Sequence, residues 1–362
     1  MAKVKSVSII GGGFFGLTAA LHLAKKGCKV SVYERNLKAM QEASLFNQAR
    51  VHGGYHYPRS LKTAARCRAN YARFLQDFQG AIFDDFVSIY AIASDSQVNY
   101  HKFNRLMEMI GAPIERLSGP LAKEFNESLI SQVFKIEEVA FNSEILLKLT
   151  LEQLSALKVD IHFNTEITRV ENINFQGRAG VKIQTQNGEA IESDYAILAT
   201  YGLDILSSDY DFNENYLYEV CELIRVQVPK FIKNCAITVM DGPYWSLTPW
   251  PAFEAHVLTH VRHTPHARFN KYLDAREFLG ETLTTRTEVM LRDASRFMPR
   301  IAECQVLGSE YTIKTILKKR DFDDSRPIYV QKENRILSVL GSKIDNIYDL
   351  ETIFDEFLEM SQ

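Results

Sequence analysis

The feature that most constrains this chain is a run of glycines, Gly11-x-Gly13-x-x-Gly16, set between an apolar strand pattern at residues 7–10 and an apolar helical pattern at residues 14–26. A second strand-like segment follows at residues 29–34, so the glycines mark the first turn of a βαβ unit, and Glu34 stands eighteen residues after Gly16. Each position has a physical role. Gly11 permits the tight turn, Gly13 lets backbone N–H groups approach a pyrophosphate, and Gly16 lets the helix lie close on the strand. The helix N-terminus supplies partial positive charge, and Glu34 can accept hydrogen bonds from ribose hydroxyls. In this context the spacing points to dinucleotide binding; a glycine-rich turn without a ligand is the alternative.

A length of 362 residues corresponds to about two domains, and 46% hydrophobic with 24% charged residues is globular usage that excludes a disordered or collagen-like chain. Lys and Arg number 42 against 45 Asp and Glu, a formal charge of −3, so no basic field draws in nucleic acid or an anionic membrane. The expected partner is a small molecule, and nothing in the sequence specifies an oligomer. The cysteines, Cys28, Cys67, Cys221, Cys235 and Cys304, are odd in number and widely spaced, with no CxxC pair. That argues against a disulfide framework or a zinc site and for a reducing, cytoplasmic setting. Residues 6–24 contain no Asp, Glu, Lys or Arg and superficially resemble a signal peptide or membrane span. Four glycines within them disfavour one continuous helix, so no integral membrane segment is expected.

Beyond the βαβ unit, periodicity predicts helices at 60–78, 98–110, 143–157, 284–297 and 344–358. Strand patterns fall at 86–93, in VDIHF, ITRVENI, VKIQTQ and YAILAT between 159 and 200, in YLYEVCELIRVQVP, CAITVM and HVLTHV beyond 216, and at 336–340. Asn187-Gly188 is a hairpin signal.

Four stretches together resemble the FAD-dependent oxidoreductases of the D-amino-acid oxidase superfamily. The first is VSIIGGGFFGLTAALHLAKKGCKVSVYER, where the resemblance makes Gly11, Gly13, Phe14, Phe15 and Gly16 the phosphate turn and Glu34 and Arg35 the ribose pair. The second, ASLFNQARVHGGYHYPRSLKTAARC, is similar to the flavin-facing loop of the branch that oxidises 2-hydroxyglutarate and glycerol phosphate. It implies Ser44 on phosphate, Asn47, Gln48, Arg50 and Val51 along the flavin, and His52 at its reactive face. Read without the resemblance, His52, Tyr55, His56 and Tyr57 form an aromatic loop packed on the core. The third, from VDIHF to ATYG, implies Ile167 beside adenine and Thr200 to Gly202 beside the pyrophosphate. The fourth, ILSVLGSKIDNIYDLETIF, implies Gly341, Ser342, Lys343 and Ile344 at the flavin pyrimidine, with a helix N-terminus aimed there. A lysine at such a terminus opposes the dipole and calls for an anionic neighbour.

The fold class implied is α/β (α+β): a Rossmann-like FAD-binding domain of the glutathione-reductase type at residues 1–75, 141–206 and 303–362. It is interleaved with an antiparallel-sheet substrate domain at 76–140 and 207–302. The implied activity is oxidation of a small hydroxy acid, amino acid or amine by hydride transfer to flavin N5, with noncovalent FAD, since no cysteine aligns with an attachment position. Histidine titrates near working pH, which suits His52, then His56, with Tyr57, to the proton-accepting role. Tyr55, Tyr244 and Trp245 are candidates for the substrate wall, and Arg225 or Arg262 for a carboxylate clamp. A packed sheet with solvated strand ends explains the same residues. The histidines at 256, 260, 263 and 266 match no metal motif. Alternatives are a non-redox, mutase-like flavin enzyme on a sugar nucleotide, a tailoring oxidase, and a nucleotide-binding module without catalysis. An NADPH-dependent monooxygenase fits less well, since no second GxGxxG is present.

Overall fold

The apolar run ahead of the glycines is a strand, Ser6–Ile10, near the centre of a six-stranded sheet in the computed structural model. The structure describes residues 4–175, 178–203, 215–318 and 328–359; the expected boundary between 206 and 207 lies outside them. The sheet runs Tyr329–Glu333, Ile336–Leu340, Tyr195–Leu198, Ser6–Ile10, Lys29–Tyr33, Asp160–His162, and only the first pair is antiparallel. A parallel sheet covered on both faces needs strands that are apolar throughout. Ile9, Val32 and Ile197 turn towards helices Phe14–Lys25, Ser143–Ala156 and Ile347–Glu359, while Ile10, Tyr33 and Leu198 turn the other way. There they meet a three-stranded antiparallel sheet, Ile167–Phe175, Arg178–Thr185 and Ala190–Ser193. Gly188, at φ +81°, makes the expected turn between its last two strands.

The helices carry the capping their sequences allow. Asn142 accepts from the Glu144 and Ile145 amides, Asn99 from the Lys102 amide, and Ser60 caps Leu61–Asp77 through the Thr63 amide. Gly111 adopts the left-handed conformation that ends Tyr100–Ile110.

A second sheet holds nine strands among the described residues, in the order Pro265–Phe269, Tyr216–Gln227, Ala255–His260, Trp245–Trp250, Cys235–Met240, Val87–Ala93, Ile130–Ile136, Ile114–Arg116, with Gln305–Leu317 beside Tyr216–Gln227. It is antiparallel except where Cys235–Met240 meets Val87–Ala93. Helix Thr287–Phe297 buries Met290, Ala294 and Phe297 against Ile237, Leu247 and Leu258 on one face. Each such fully buried aliphatic side chain contributes about 1.5–3 kcal/mol.

One expectation is corrected: the division at residue 303 fails for Gln305–Leu317, which pairs along all of Tyr216–Gln227 and so joins the antiparallel sheet. Trp245–Trp250, which no strand pattern marked, is a full strand despite Pro249, with Trp245 and Trp250 both 1% exposed.

Candidate active site

Two neighbouring features form the candidate site. The first is a cleft at the carboxyl ends of the parallel strands, lined by Gly11, Gly13, Phe14, Phe15, Glu34, Arg35, Ser44, Ile167, Thr200 and Gly341, all of them expected there. Glu34 is locked in place: its Oε2 accepts from the Gly12 amide at 2.7 Å and its Oε1 from the Asn36 amide at 2.8 Å. Ser44 Oγ accepts from the Phe14 amide at 3.0 Å. Arg35 donates to the Tyr272 hydroxyl at 2.9 Å and to Glu42 at 3.0 Å, joining two distant parts of the chain at the cleft rim. Gly16 does not line the cleft; it lies beneath, pressed on Gly11.

The residues suit a dinucleotide. Helix Phe14–Lys25 has a glycine N-cap, no side-chain cap bond from that residue and no acidic side chain in its first turn, so its positive end faces the cleft. Gly11 holds φ +106°, and a Cβ there would come within 2.5 Å of the Ala199 oxygen. Thr200 donates to the Leu203 carbonyl, and Gly202, at φ +88°, accepts from the Tyr218 hydroxyl, which fixes the returning chain.

The second feature is a buried cluster beside the C-terminal loop that follows Gly341. Strand Arg50–Val51 pairs with Val139–Phe141, Arg50 opposite Ala140 and Val51 opposite Val139, and the same register sets His52 facing Glu138. His52 Nδ1 lies 3.4 Å from Glu138 Oε1, which also accepts from the Gly53 amide at 3.1 Å. Glu138 Oε2 accepts from the Tyr90 hydroxyl at 2.8 Å, and Arg50 Nε stands 3.9 Å from it. Burial alone would raise the Glu138 carboxyl, but His52, Arg50 and Tyr90 together hold it below the usual carboxylate range. Burial, with Glu138 alongside, pushes the Tyr90 phenol well above its ordinary value. The His52, His56 and Tyr57 rings sit 5.2–5.5 Å apart, centroid to centroid.

Lys343 enters from the C-terminal loop, 5% exposed, with Nζ 3.3 Å from the centre of the Tyr57 ring. The anionic neighbour it called for is Asp345, wholly buried, whose carboxyl is raised by desolvation and drawn back by His52, Lys343 and the Cys67 thiol. Asn346 Oδ1 accepts from the Ser342 and Lys343 amides, and Ile344 begins a 3-10 turn ahead of helix Ile347–Glu359.

Other expected residues are placed differently. Arg50 turns its guanidinium into the protein, donating to Tyr90 and to Thr238 at 3.1 and 2.9 Å, and Val51 is fully buried. Asn47 staples its own loop, donating to the Ala43 and Ser44 carbonyls and accepting from the Ala49 amide, while Gln48 donates to Thr259. Tyr55 is corrected from substrate wall to core: it is wholly buried and donates to the Pro113 carbonyl at 2.7 Å. Tyr244 donates to Asp95 at 2.6 Å and meets Phe297 edge-on, so it and Trp245 pack under helix Thr287–Phe297 rather than near His52. Arg225 is taken up by Glu310 at 2.8 Å, and Arg262 is exposed in a turn, so neither forms the expected clamp. His260 and His263 converge on Asp293, but the Arg262 amide donates to His260 Nδ1, which leaves the ring proton on Nε2, 2.9 Å from Asp293. Arg296 donates to the same carboxylate at 2.8 Å. Glu138, Tyr90 and Asp345 were not anticipated; a strand register and a loop return bring them in, and neither leaves a local motif.

A glycine-turn dinucleotide cleft joined to an antiparallel sheet, with a histidine–carboxylate cluster at their junction, defines a flavin-dependent oxidoreductase. The chain belongs to the DAO family of FAD dependent oxidoreductases, whose family model matches residues 6–334; it is an enzyme, and its cofactor is FAD. It is 26% identical over 354 residues to the FAD-dependent monooxygenase FPY4 of Fusarium mangiferae, covering 95% of this chain and 88% of that one. It is 24% identical over 365 residues to the FAD-dependent monooxygenase kojA of Aspergillus flavus, covering 94% and 82%. Among solved structures, the L-alpha-glycerophosphate oxidase of Mycoplasma pneumoniae, with FAD bound, superposes with a TM-score of 0.74 at 17% identity, covering 99% of this chain and 95% of that one. The glycine oxidase of Geobacillus kaustophilus gives 0.67 at 15% identity, covering 99% and 96%. These likenesses show the fold. No helix among the described residues is long and apolar enough to cross a membrane.

Proposed function

We propose that the enzyme oxidises a small polar substrate, a hydroxy acid, an amino acid or an amine, at a carbon bearing O–H or N–H, with His52 accepting the proton. The observation that carries this reading is the convergence of His52, His56, Tyr57 and Lys343, with Lys343 two residues past Gly341, which lines the cleft. FAD, when bound, supplies the hydride acceptor. His52 takes the proton from the substrate hydroxyl or amine, and buried Glu138 balances the charge that results. Lys343, over the face of the Tyr57 ring, attracts substrate carboxylate or developing negative charge. All five cysteines are free thiols and none lines the cleft, which supports noncovalent FAD and a cytoplasmic location.

The test is anaerobic addition of 2-hydroxy acids, amino acids and amines to the holoenzyme, read as loss of the oxidised-flavin band. Bleaching in the wild type and its loss in His52→Asn is the expected pair of results. Equal bleaching in both would overturn the role of His52. A second reading, oxygen insertion, is favoured by the monooxygenase names of both relatives; isotopic oxygen from O2 in the product would establish it.

A further inference from the structure

Glu138 lies in the two-residue link between strands Ile130–Ile136 and Val139–Phe141, which belong to different sheets, and its side chain is 2% exposed. An ionised carboxylate can only accept hydrogen bonds. Its Oε1 takes the Gly53 amide at 3.1 Å and faces His52 Nδ1 at 3.4 Å. At 3.4 Å and outside hydrogen-bond geometry this is an ion-pair contact, in which the carboxylate favours a proton on Nδ1 and a lone pair on Nε2. The second oxygen takes the only proton of the Tyr90 hydroxyl, whose oxygen in turn receives Arg50 Nη1 at 3.1 Å. With its proton so used, Tyr90 can only accept from His56 Nδ1, 3.4 Å away, and His56 is drawn into the same tautomer.

We infer that Glu138 is a positioning residue: it holds His52 and, through Tyr90, His56 in the Nδ1-protonated form, so that His52 presents Nε2 as a proton acceptor. The claim deepens the reading of His52 as the base and rests on it. It adds a division of labour within the buried charges. Arg50 neutralises Glu138 in the resting cluster, so a proton arriving on His52 meets a carboxylate already shared with a guanidinium 3.9 Å away. The groups facing His52 are therefore Glu138, Arg50 and Tyr90 from the strands, His56 and Tyr57 from its own loop, and Asp345 and Lys343 from the C-terminal loop.

The test is a 15N NMR pH titration of histidine-labelled, FAD-bound enzyme, with the His52 signals assigned by their loss in His52→Asn. The expected wild-type result is a pyrrole-type Nδ1 and an imine-type Nε2 in neutral His52. Glu138→Gln keeps an acceptor towards Gly53 and His52 but removes the charge. It should retain the tautomer. Glu138→Leu removes the acceptor and should release the ring to the Nε2-protonated form, with flavin reduction slowed about 100-fold and substrate affinity little changed. A wild-type ring protonated on Nε2 would overturn the proposal, and that result does not depend on Glu138→Leu folding. If the tautomer is as expected but His52→Asn still bleaches at the wild-type rate, the base assignment fails and the hold of Glu138 on His52 stands.

Discussion

Gly16 stands so close to Gly11 that a Cβ added to it would overlap the Gly11 carbonyl oxygen, and the next obstacle, the Ala199 side chain, is 3.4 Å away. Backbone is the first thing met, so no rotamer change relieves the overlap. Gly16→Ala must push helix Phe14–Lys25 off strand Ser6–Ile10. The expected cost is about 3 kcal/mol or more, seen as a lower urea midpoint together with loss of bound flavin.

Glu34 spends both oxygens on the turn it serves, on the Gly12 and Asn36 amides. Glu34→Ala leaves the buried Gly12 donor without that acceptor and removes the carboxylate expected to meet the ribose. FAD affinity should fall about 10- to 100-fold, as measured by titration of the apoprotein, with a smaller loss of thermal stability.

Asp345 is fully buried and its carboxyl is raised, chiefly by desolvation. A carboxyl raised on folding costs stability once the pH exceeds its unfolded value, near 3.9, and the cost grows until the folded value is passed. Asp345→Asn removes that cost. The variant should match the wild type near pH 3.5 and exceed it at pH 7.5 by about 1 kcal/mol, with melting temperatures at the two pH values as the check.

Burial lowers both His256 and His260 to about 4. Unfolding releases each to the ordinary value near 6.5, so the stability that depends on their neutral forms is complete above pH 6.5 and declines as the pH falls towards 4. Each should cost on the order of 2 kcal/mol at pH 5. His256→Gln keeps a donor for the Cys235 carbonyl and should flatten part of that slope in denaturation midpoints taken across the window.

The parts of the fold visible in the sequence were those with local causes. Glycine spacing marked the turn at Gly11, the Asn187-Gly188 pair marked a hairpin, and helical periodicity located Leu61–Asp77 and Ser143–Ala156 to within one residue at each end. Strand Trp245–Trp250 was hidden because Pro249 breaks the expected strand chemistry. Gln305–Leu317 has alternating burial too weak to read, and it is a strand because Tyr216–Gln227 lies beside it. The site divides the same way. Residues of the cleft sit on contiguous motifs, whereas Glu138 reaches His52 only through pairing between chain segments 86 residues apart, Tyr90 through the large sheet, and Asp345 through the C-terminal return. Tyr55 and Tyr244 were misjudged because an aromatic ring beside a candidate loop looks the same in sequence whether it faces a ligand or the core.

The cleft opened by Gly11 is closed on another side by Leu340 and Gly341, from the strand that completes the parallel pairing with Tyr195–Leu198. A nascent chain therefore carries its phosphate turn out of the ribosome more than three hundred residues before the facing wall exists. The complete lining of the nucleotide cleft is therefore in place only once residue 341 has been made.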